Sequence, residues 1–127
     1  MSEKPPVSDA ELEVLKVLWS AGSGTVRDVE AQLRRRKRRL AYNTVLTLLS
    51  RLREKGYVTA DRTGTAHVFR SSVSREELLE HGLTRLADRI CDGTASPLVH
   101  ALVKGQRLSP KDIAHLRRLL DELEGKE

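Results

Sequence analysis

"LRRRKRRLAYNTVLTLLSRLREKG", residues 33–56, sets six consecutive cations, Arg34 to Arg39, directly before an apolar-periodic segment. That segment decides the fold. At roughly 100° per residue on a helix, Val45, Leu48, Leu49 and Leu52 fall on one side, the i, i+3, i+4, i+7 pattern of a buried stripe. Asn43, Thr44, Thr47, Ser50, Arg51 and Glu54 fall on the other. Solvated helix faces are usually rich in Glu and Lys. This one begins with short donors, acceptors and methyl groups on mediocre helix formers, the groups that touch base edges and thymine methyls in a major groove. Read blandly, Asn43 and Thr44 only begin the helix and Thr47 is an ordinary surface residue. The neighbours on either side of the segment separate the two readings.

Upstream, "SDAELEVLKVLWSAG" reads as a helix with Ser8 and Glu11 at capping-box spacing and Gly22 as its stop. Leu12, Val14, Leu15, Leu18 and Trp19 form its apolar side, where a lone Trp fills a core. "GTVRDVEAQLRRR" is a second helix with Thr25 as N-cap and Val26, Val29 and Leu33 facing inward. Gly56 follows Lys55 where the third helix needs a C-cap. Downstream, Tyr57-Val58 and Val68-Phe69 favour strands, and "RTGT" between them has hairpin turn chemistry with Gly64 able to take positive φ. Three helices and a hairpin are the element order of a winged helix-turn-helix. The expected fold is mainly α with a small β-hairpin, with a DNA-binding domain over residues 1–73 and a helical dimerisation domain over 74–127.

That second part begins with Ser74 and Glu77 as another capping pair, then Leu78, Leu79, Leu83, Leu86 and Ile90 on one helix, which "DGT" at 92–94 breaks. "SPLVHALVKG" is a short helix carrying Leu98 and Leu102. A last helix starts at Ser109-Pro110, and its Ile113, Leu116, Leu120 and Leu123 repeat with the spacing of a coiled-coil seam. The segment is too short for a sizeable core of its own. Its leucines either pack on the winged helix or pair with a second copy, and the coiled-coil seam and the missing aromatics favour a dimer.

Charge supports the division. The net charge is +5, yet residues 1–73 carry 14 Lys and Arg against 8 Asp and Glu, a net of +6, while residues 74–127 carry 9 against 10, a net of −1. A basic module therefore stands before a nearly neutral one, which points to polyanion binding by the first. Arg38, Arg39 and Thr25 are the candidate phosphate contacts. The hairpin tip, Arg62, Thr63, Gly64 and Thr65, suits a phosphate or a minor groove. No apolar run approaches a membrane span, and the N-terminus lacks the blocks of a signal peptide. A cytoplasmic protein without membrane insertion is expected. Cys91 is the only cysteine, so no internal disulfide forms, and a buried, inert thiol is its common state. His81, Cys91, His100 and His115 match no metal-ligand spacing. No GxSxG, HExxH or GxxxxGK[ST] is present. Neither an enzyme nor a cofactor is expected.

Taken together, "SDAELEVLKVLW", "TVRDVEAQL", "AYNTVLTLLSRLREKGYV", "GTAHVFR" and "SREEL" resemble the penicillinase-repressor family of BlaI/MecI type, to which the copper-responsive CopY type is related. The resemblance covers nearly the whole chain and is strongest from Ser8 to Glu77. It implies a homodimeric winged-helix repressor bound to a dyad-symmetric operator in double-stranded DNA, controlling a resistance or stress-response gene. By position, Tyr42, Asn43, Thr44 and Thr47 open the recognition helix, with Arg51 a turn further on, and Arg62 to Thr65 form the wing. The chain also departs from the family. Thr often stands at the position of Asn43, and Arg often follows the wing glycine, where this chain has Thr65. Members answering to a membrane sensor are cleaved at an Asn-Phe bond, and the aligned pair here is Ala101-Leu102. The CxC pair of copper-responsive members is absent. The resemblance therefore does not carry over an inducing signal, a sensor or a protease. A reading from another class is a winged-helix adaptor whose basic loop docks an acidic protein.

Overall fold

A computed structural model describes residues 4–105 and 107–125, with the backbone alone at Thr63. The elements run α1 (Asp9–Ala21), α2 (Val26–Arg35), α3 (Tyr42–Lys55), β1 (Val58–Thr63), β2 (Ala66–Ser71), α4 (Arg75–Ile90), α5 (Ser96–Lys104) and α6 (Pro110–Leu123). Two compact units divide the chain, Met1–Leu79 and Glu80–Glu127.

The first unit is a winged helix-turn-helix. Its core holds most of the set that the periodicity singled out: Val14, Leu15 and Leu18 of α1, Val26, Val29 and Leu33 of α2, and Val45, Leu48, Leu49 and Leu52 of α3; Leu12 is only half-buried. Val17, Tyr57, Val58, Phe69 and Val73 complete it. Each fully buried Leu contributes about 1.5–3 kcal/mol relative to exposure. β1 and β2 pair antiparallel from Val58↔Ser71 to Thr63↔Ala66. The two-residue turn between them has Gly64 at φ 64°, which matches a II′ hairpin turn. A third short strand is a single bridge, with Gly24 N–H donating to the Phe69 carbonyl (3.0 Å) and Phe69 N–H to the Gly24 carbonyl (2.8 Å). This bridge ties the entrance of α2 to the wing.

Trp19 is only partly buried. Its indole N–H donates to Ser71 Oγ (3.0 Å) and the Val73 carbonyl (2.9 Å), and the Arg75 guanidinium lies 5.6 Å from its ring centroid. An amphipathic ring with a satisfied polar tip thus joins α1 to the end of β2 and the start of α4. Leu78 packs on the same core. The first turn of α4 therefore belongs with the winged unit, so the units part a little beyond the expected boundary at residue 73.

Glu11 is the one buried charged residue in that core, 1% exposed. Its Oε1 accepts the Ser8 backbone N–H (2.8 Å), completing the capping box, and the Lys55 ammonium (2.6 Å). Lys55 also donates to the Pro6 carbonyl (2.9 Å), and the Tyr57 hydroxyl donates to the Pro5 carbonyl. The start of α1 is thereby fastened to the end of α3. Burial pushes the Glu11 carboxyl up, but the hydrogen bonds from Lys55 and Ser8 and the Lys55 charge outweigh it and hold the group below its ordinary 4.5.

α2 and α3 end alike. Arg38 N–H reaches the Leu33 carbonyl (2.8 Å) and Lys37 N–H the Arg34 carbonyl (3.0 Å); Tyr57 N–H reaches Leu52 (2.9 Å) and Gly56 N–H Arg53 (3.1 Å). Both are Schellman closures, which need one residue in the left-handed region. α3 uses Gly56 (φ 89°), whereas α2 uses Lys37 (φ 63°).

In the second unit α4 continues to Ile90, where Asp92 (φ 52°) and Gly93 (φ 80°) break the chain direction as the "DGT" motif implied. Ser109 caps α6 through a capping box with Asp112. None of the described residues of this unit is buried. Cys91 is half-buried and free, rather than sealed in a core as expected, because the unit has no core to seal it.

Two stability predictions follow from these contacts. Lys55→Met leaves the Glu11 carboxylate buried without its cation and costs about 3 kcal/mol at pH 7. A carboxyl with a lowered folded pKa stabilises above its unfolded pKa and loses that contribution as pH falls through the folded value. The gap between wild type and Lys55→Met therefore narrows as pH falls below 4.5 and is lost as pH passes through the lowered folded value. Urea melts at pH 7 and pH 3.5 measure it, and an equal gap at both would show the ion pair is immaterial. Lys37→Gly relieves the left-handed lysine and raises stability by about 1 kcal/mol. Lys37→Ala, which removes the charge but keeps Cβ, gives no such gain in a thermal melt.

Candidate nucleic-acid interface

The polar face of α3 stands where the sequence put it. Asn43, Thr44, Thr47, Ser50, Arg51 and Glu54 are all exposed, opposite the four buried residues. Thr47 donates its hydroxyl to the Asn43 carbonyl (2.9 Å), so its methyl and its acceptor lone pairs stay available.

The start of α3 differs from the other long helices. α1, α2, α4 and α6 each open with a side-chain capping pair, Ser8/Glu11, Thr25/Asp28, Ser74/Glu77 and Ser109/Asp112. α3 opens on Ala41, with no side-chain cap and no acidic residue in its first turn. Its leading N–H groups and the positive end of its dipole therefore carry no local anion, which suits an approach to a polyanion.

The cationic run is divided between two settings. Arg34 and Arg35 form the last turn of α2, where cations complement the helix dipole. Arg36 to Arg39 form the connection to α3, and all are exposed. Arg34 has an ion-pair partner, Glu30 at 3.9 Å, and the other five have none among the described residues. Unpaired exposed cations supply sequence-independent attraction to phosphates. Arg38 and Arg39 thus stand just before the start of α3 in the chain.

A groove runs along the other flank of α3. Thr25, Val26 and Arg27 from the start of α2, Tyr42, Leu46, Ser50, Arg53 and Glu54 from α3, and Thr65, Ala66, His67 and Phe69 from the wing line it. The Gly24–Phe69 bridge sets its width, because it holds the α2 entrance against β2. Thr25 has a structural task as well as the proposed contact: its Oγ1 accepts the Asp28 N–H (3.1 Å) while Asp28 Oδ2 accepts the Thr25 N–H (3.0 Å). Arg62, Gly64 and Thr65 are exposed at the hairpin tip; the Thr63 side chain lies outside the described residues.

Several groove residues escape the sequence reading, three of them on the helices. Arg27 places its guanidinium 5.3 Å from the Tyr42 ring centroid. Leu46 is exposed, one helical turn after Tyr42 on the same flank. Arg53 follows two turns later. The spacing 42, 46, 50, 53 was visible as a second stripe on α3, but nothing local showed that the wing lies beside it.

Among the described residues, no helix is long and apolar enough to cross a membrane, and no three His, Cys, Asp or Glu side chains gather to hold a metal. In the second unit, Leu83, Leu86, Ile90, Leu102, Ile113, Leu116, Leu120 and Leu123 are exposed, and Leu98 is half-buried. Leu79, at the end of the first unit, is exposed too.

Comparison with known proteins agrees with this geometry. A family model described as "Penicillinase repressor" matches residues 7–122. The transcriptional regulator BlaI of Mycobacterium tuberculosis is 35% identical over 130 aligned positions, covering 98% of this chain and 89% of that protein. The penicillinase repressor of Bacillus licheniformis is 29% identical over 122 residues, covering 96% and 94%. The solution structure of monomeric B. licheniformis BlaI with the blaP half-operator superposes with a TM-score of 0.50 at 31% identity, over 61% of this chain and 93% of that one. With three helices and a wing built around the matched residues, and a match that runs almost end to end, this chain belongs to the penicillinase repressor family of transcriptional regulators.

Proposed function

We propose that the protein represses transcription as a homodimer on a dyad-symmetric DNA operator, with α3 in the major groove. The observation that carries this reading is the outward face of α3: small polar side chains on a helix with an uncapped, anion-free start, flanked by unpaired cations. Asn43, Thr44 and Thr47 read base edges, Arg51 reaches a guanine or a phosphate, and Tyr42 stands at the groove flank. Arg38, Arg39, Thr25 and the wing tip from Arg62 to Thr65 hold the phosphate backbone. The same kind of partner stands in the B. licheniformis BlaI structure, which contains a half-operator. Catalysis has no part in this role, and DNA places the protein in the cytoplasm.

The domains divide the work, residues 1–73 on DNA and 74–127 in dimerisation, with the first turn of α4 packed on the winged unit. A segment of three helices without one buried side chain among its described residues is not stable on its own apolar surface. Leu79, Leu83, Leu86 and Ile90 on α4, Leu98 and Leu102 on α5, and Ile113, Leu116, Leu120 and Leu123 on α6 supply the faces that a second copy covers. Two α3 helices then meet half-sites about one DNA turn apart, roughly 34 Å, or a multiple of it.

Selection from a randomised duplex pool tests the reading. The protein enriches a palindromic site, and affinity for it falls steeply as salt rises. Recovery of no preferred site would sink the proposal. Thr44→Ala and Thr47→Ala each cost about 1–3 kcal/mol on that site and less on a scrambled duplex; an acidic-protein adaptor would be indifferent to both. For the dimer, Leu116→Glu with Leu120→Glu shifts the sedimentation coefficient from dimer to monomer. A double variant that sediments as wild type would move the interface elsewhere.

A further inference from the structure

The Arg27–Tyr42 stack has a chemistry that the reading face does not account for. Arg27 is the second residue of α2, exposed, and without an ion-pair partner among the described residues. Its nearest carboxylate neighbour in sequence, Asp28, is occupied by the Thr25 N–H. The Tyr42 ring centroid lies 5.3 Å from the guanidinium. A cation–π contact draws a guanidinium to a ring without using its N–H donors, which stay in the planar fork that matches a phosphate. It also removes part of the rotamer entropy that a free arginine would lose on binding.

Location chooses between a base and a phosphate. On α3, Tyr42 lies on the flank with Leu46 and Arg53, with Ser50 and Glu54 lining the same groove, and well round the helix from Asn43 and Thr47, which mark the outward centre of the face. Arg27 adds a charge there, beside the start of α2. The wing residues Thr65 and His67 line the same groove. A flank lined by a helix N-terminus and a wing faces the sugar-phosphate wall of a major groove when α3 faces the bases.

We propose that Arg27 is a phosphate clamp at the entrance of the reading helix, and that Tyr42 is its positioning residue rather than a reader of bases. This rests on the DNA-binding reading above. The stack binds α2 and α3 to one phosphate together, so it fixes the depth at which α3 enters the groove without selecting a sequence.

The test uses the full chain, the duplex recovered from the randomised pool, and a scrambled duplex of equal length, each titrated across a salt series. Arg27→Gln weakens binding to both duplexes by a similar factor, about tenfold at low salt, and makes the slope of log affinity against log salt shallower by about 0.9 for each Arg27 in the complex. Tyr42→Leu makes the slope shallower in the same direction, although it removes no charge, and Tyr42→Phe restores it. The double variant Arg27→Gln/Tyr42→Leu has a slope no shallower than Arg27→Gln alone. An unchanged slope in Arg27→Gln overturns the clamp, and so does a loss confined to the selected duplex with relaxed preference at one base pair, which is the signature of a base contact. A slope in Tyr42→Leu equal to wild type overturns the positioning role. If the wild-type chain itself prefers no duplex, the DNA-binding reading has failed rather than the clamp.

Discussion

The arrangement of the first unit depends on holding α3 by one face and by its last turn, so that its other face and first turn stay free. The face is held by Val45, Leu48, Leu49 and Leu52 in the core. The last turn is held by Lys55, whose ammonium reaches the buried Glu11 carboxylate and the Pro6 carbonyl. An ion pair removed from water recovers its desolvation cost only with good geometry and further hydrogen bonds. Here Glu11 Oε1 has both partners, while its Oε2 is buried without one. Such a pair is directional in a way that leucine packing is not, so it specifies the rotation and position of the helix end.

The free end of α3 follows from what is missing there. Four other helices satisfy their first N–H groups with a Ser or Thr and an acid three residues on. A carboxylate at the same place on α3 would stabilise the isolated helix and repel a phosphate. Ala41 therefore exchanges local stability for compatibility with a polyanion. Lys37 in the left-handed region is a similar exchange: a glycine would close α2 with less strain, as Gly56 closes α3, but would remove one cation from the connection.

The second unit obeys a different constraint. Its helices have sound caps and breakers, and their apolar stripes are solvent-facing in the single chain. Local stability and global incompleteness coexist there. Caps and periodicity are satisfied within one chain, whereas burial of a stripe needs a surface to meet.

Much was legible in the sequence because it is local. Ser8 with Glu11 and Ser74 with Glu77 lie three residues apart, within reach along a single turn. The buried stripe of α3 repeats with the helical period, and Gly64 stands where a tight turn needs positive φ. These features determined the elements, their order, the winged-helix class and the outward polar face. Tertiary structure alone decided the contacts between residues far apart in the chain. Glu11 meets Lys55 across 44 positions and Trp19 meets the Val73 carbonyl across 54. Gly24 bridges to Phe69, and Arg27 lies over Tyr42. No periodicity encodes such pairs, because they depend on how helices cross and where a hairpin folds back. The capping role of Glu11 could be read from Ser8, but its second role appeared only when α3 brought Lys55 beside it.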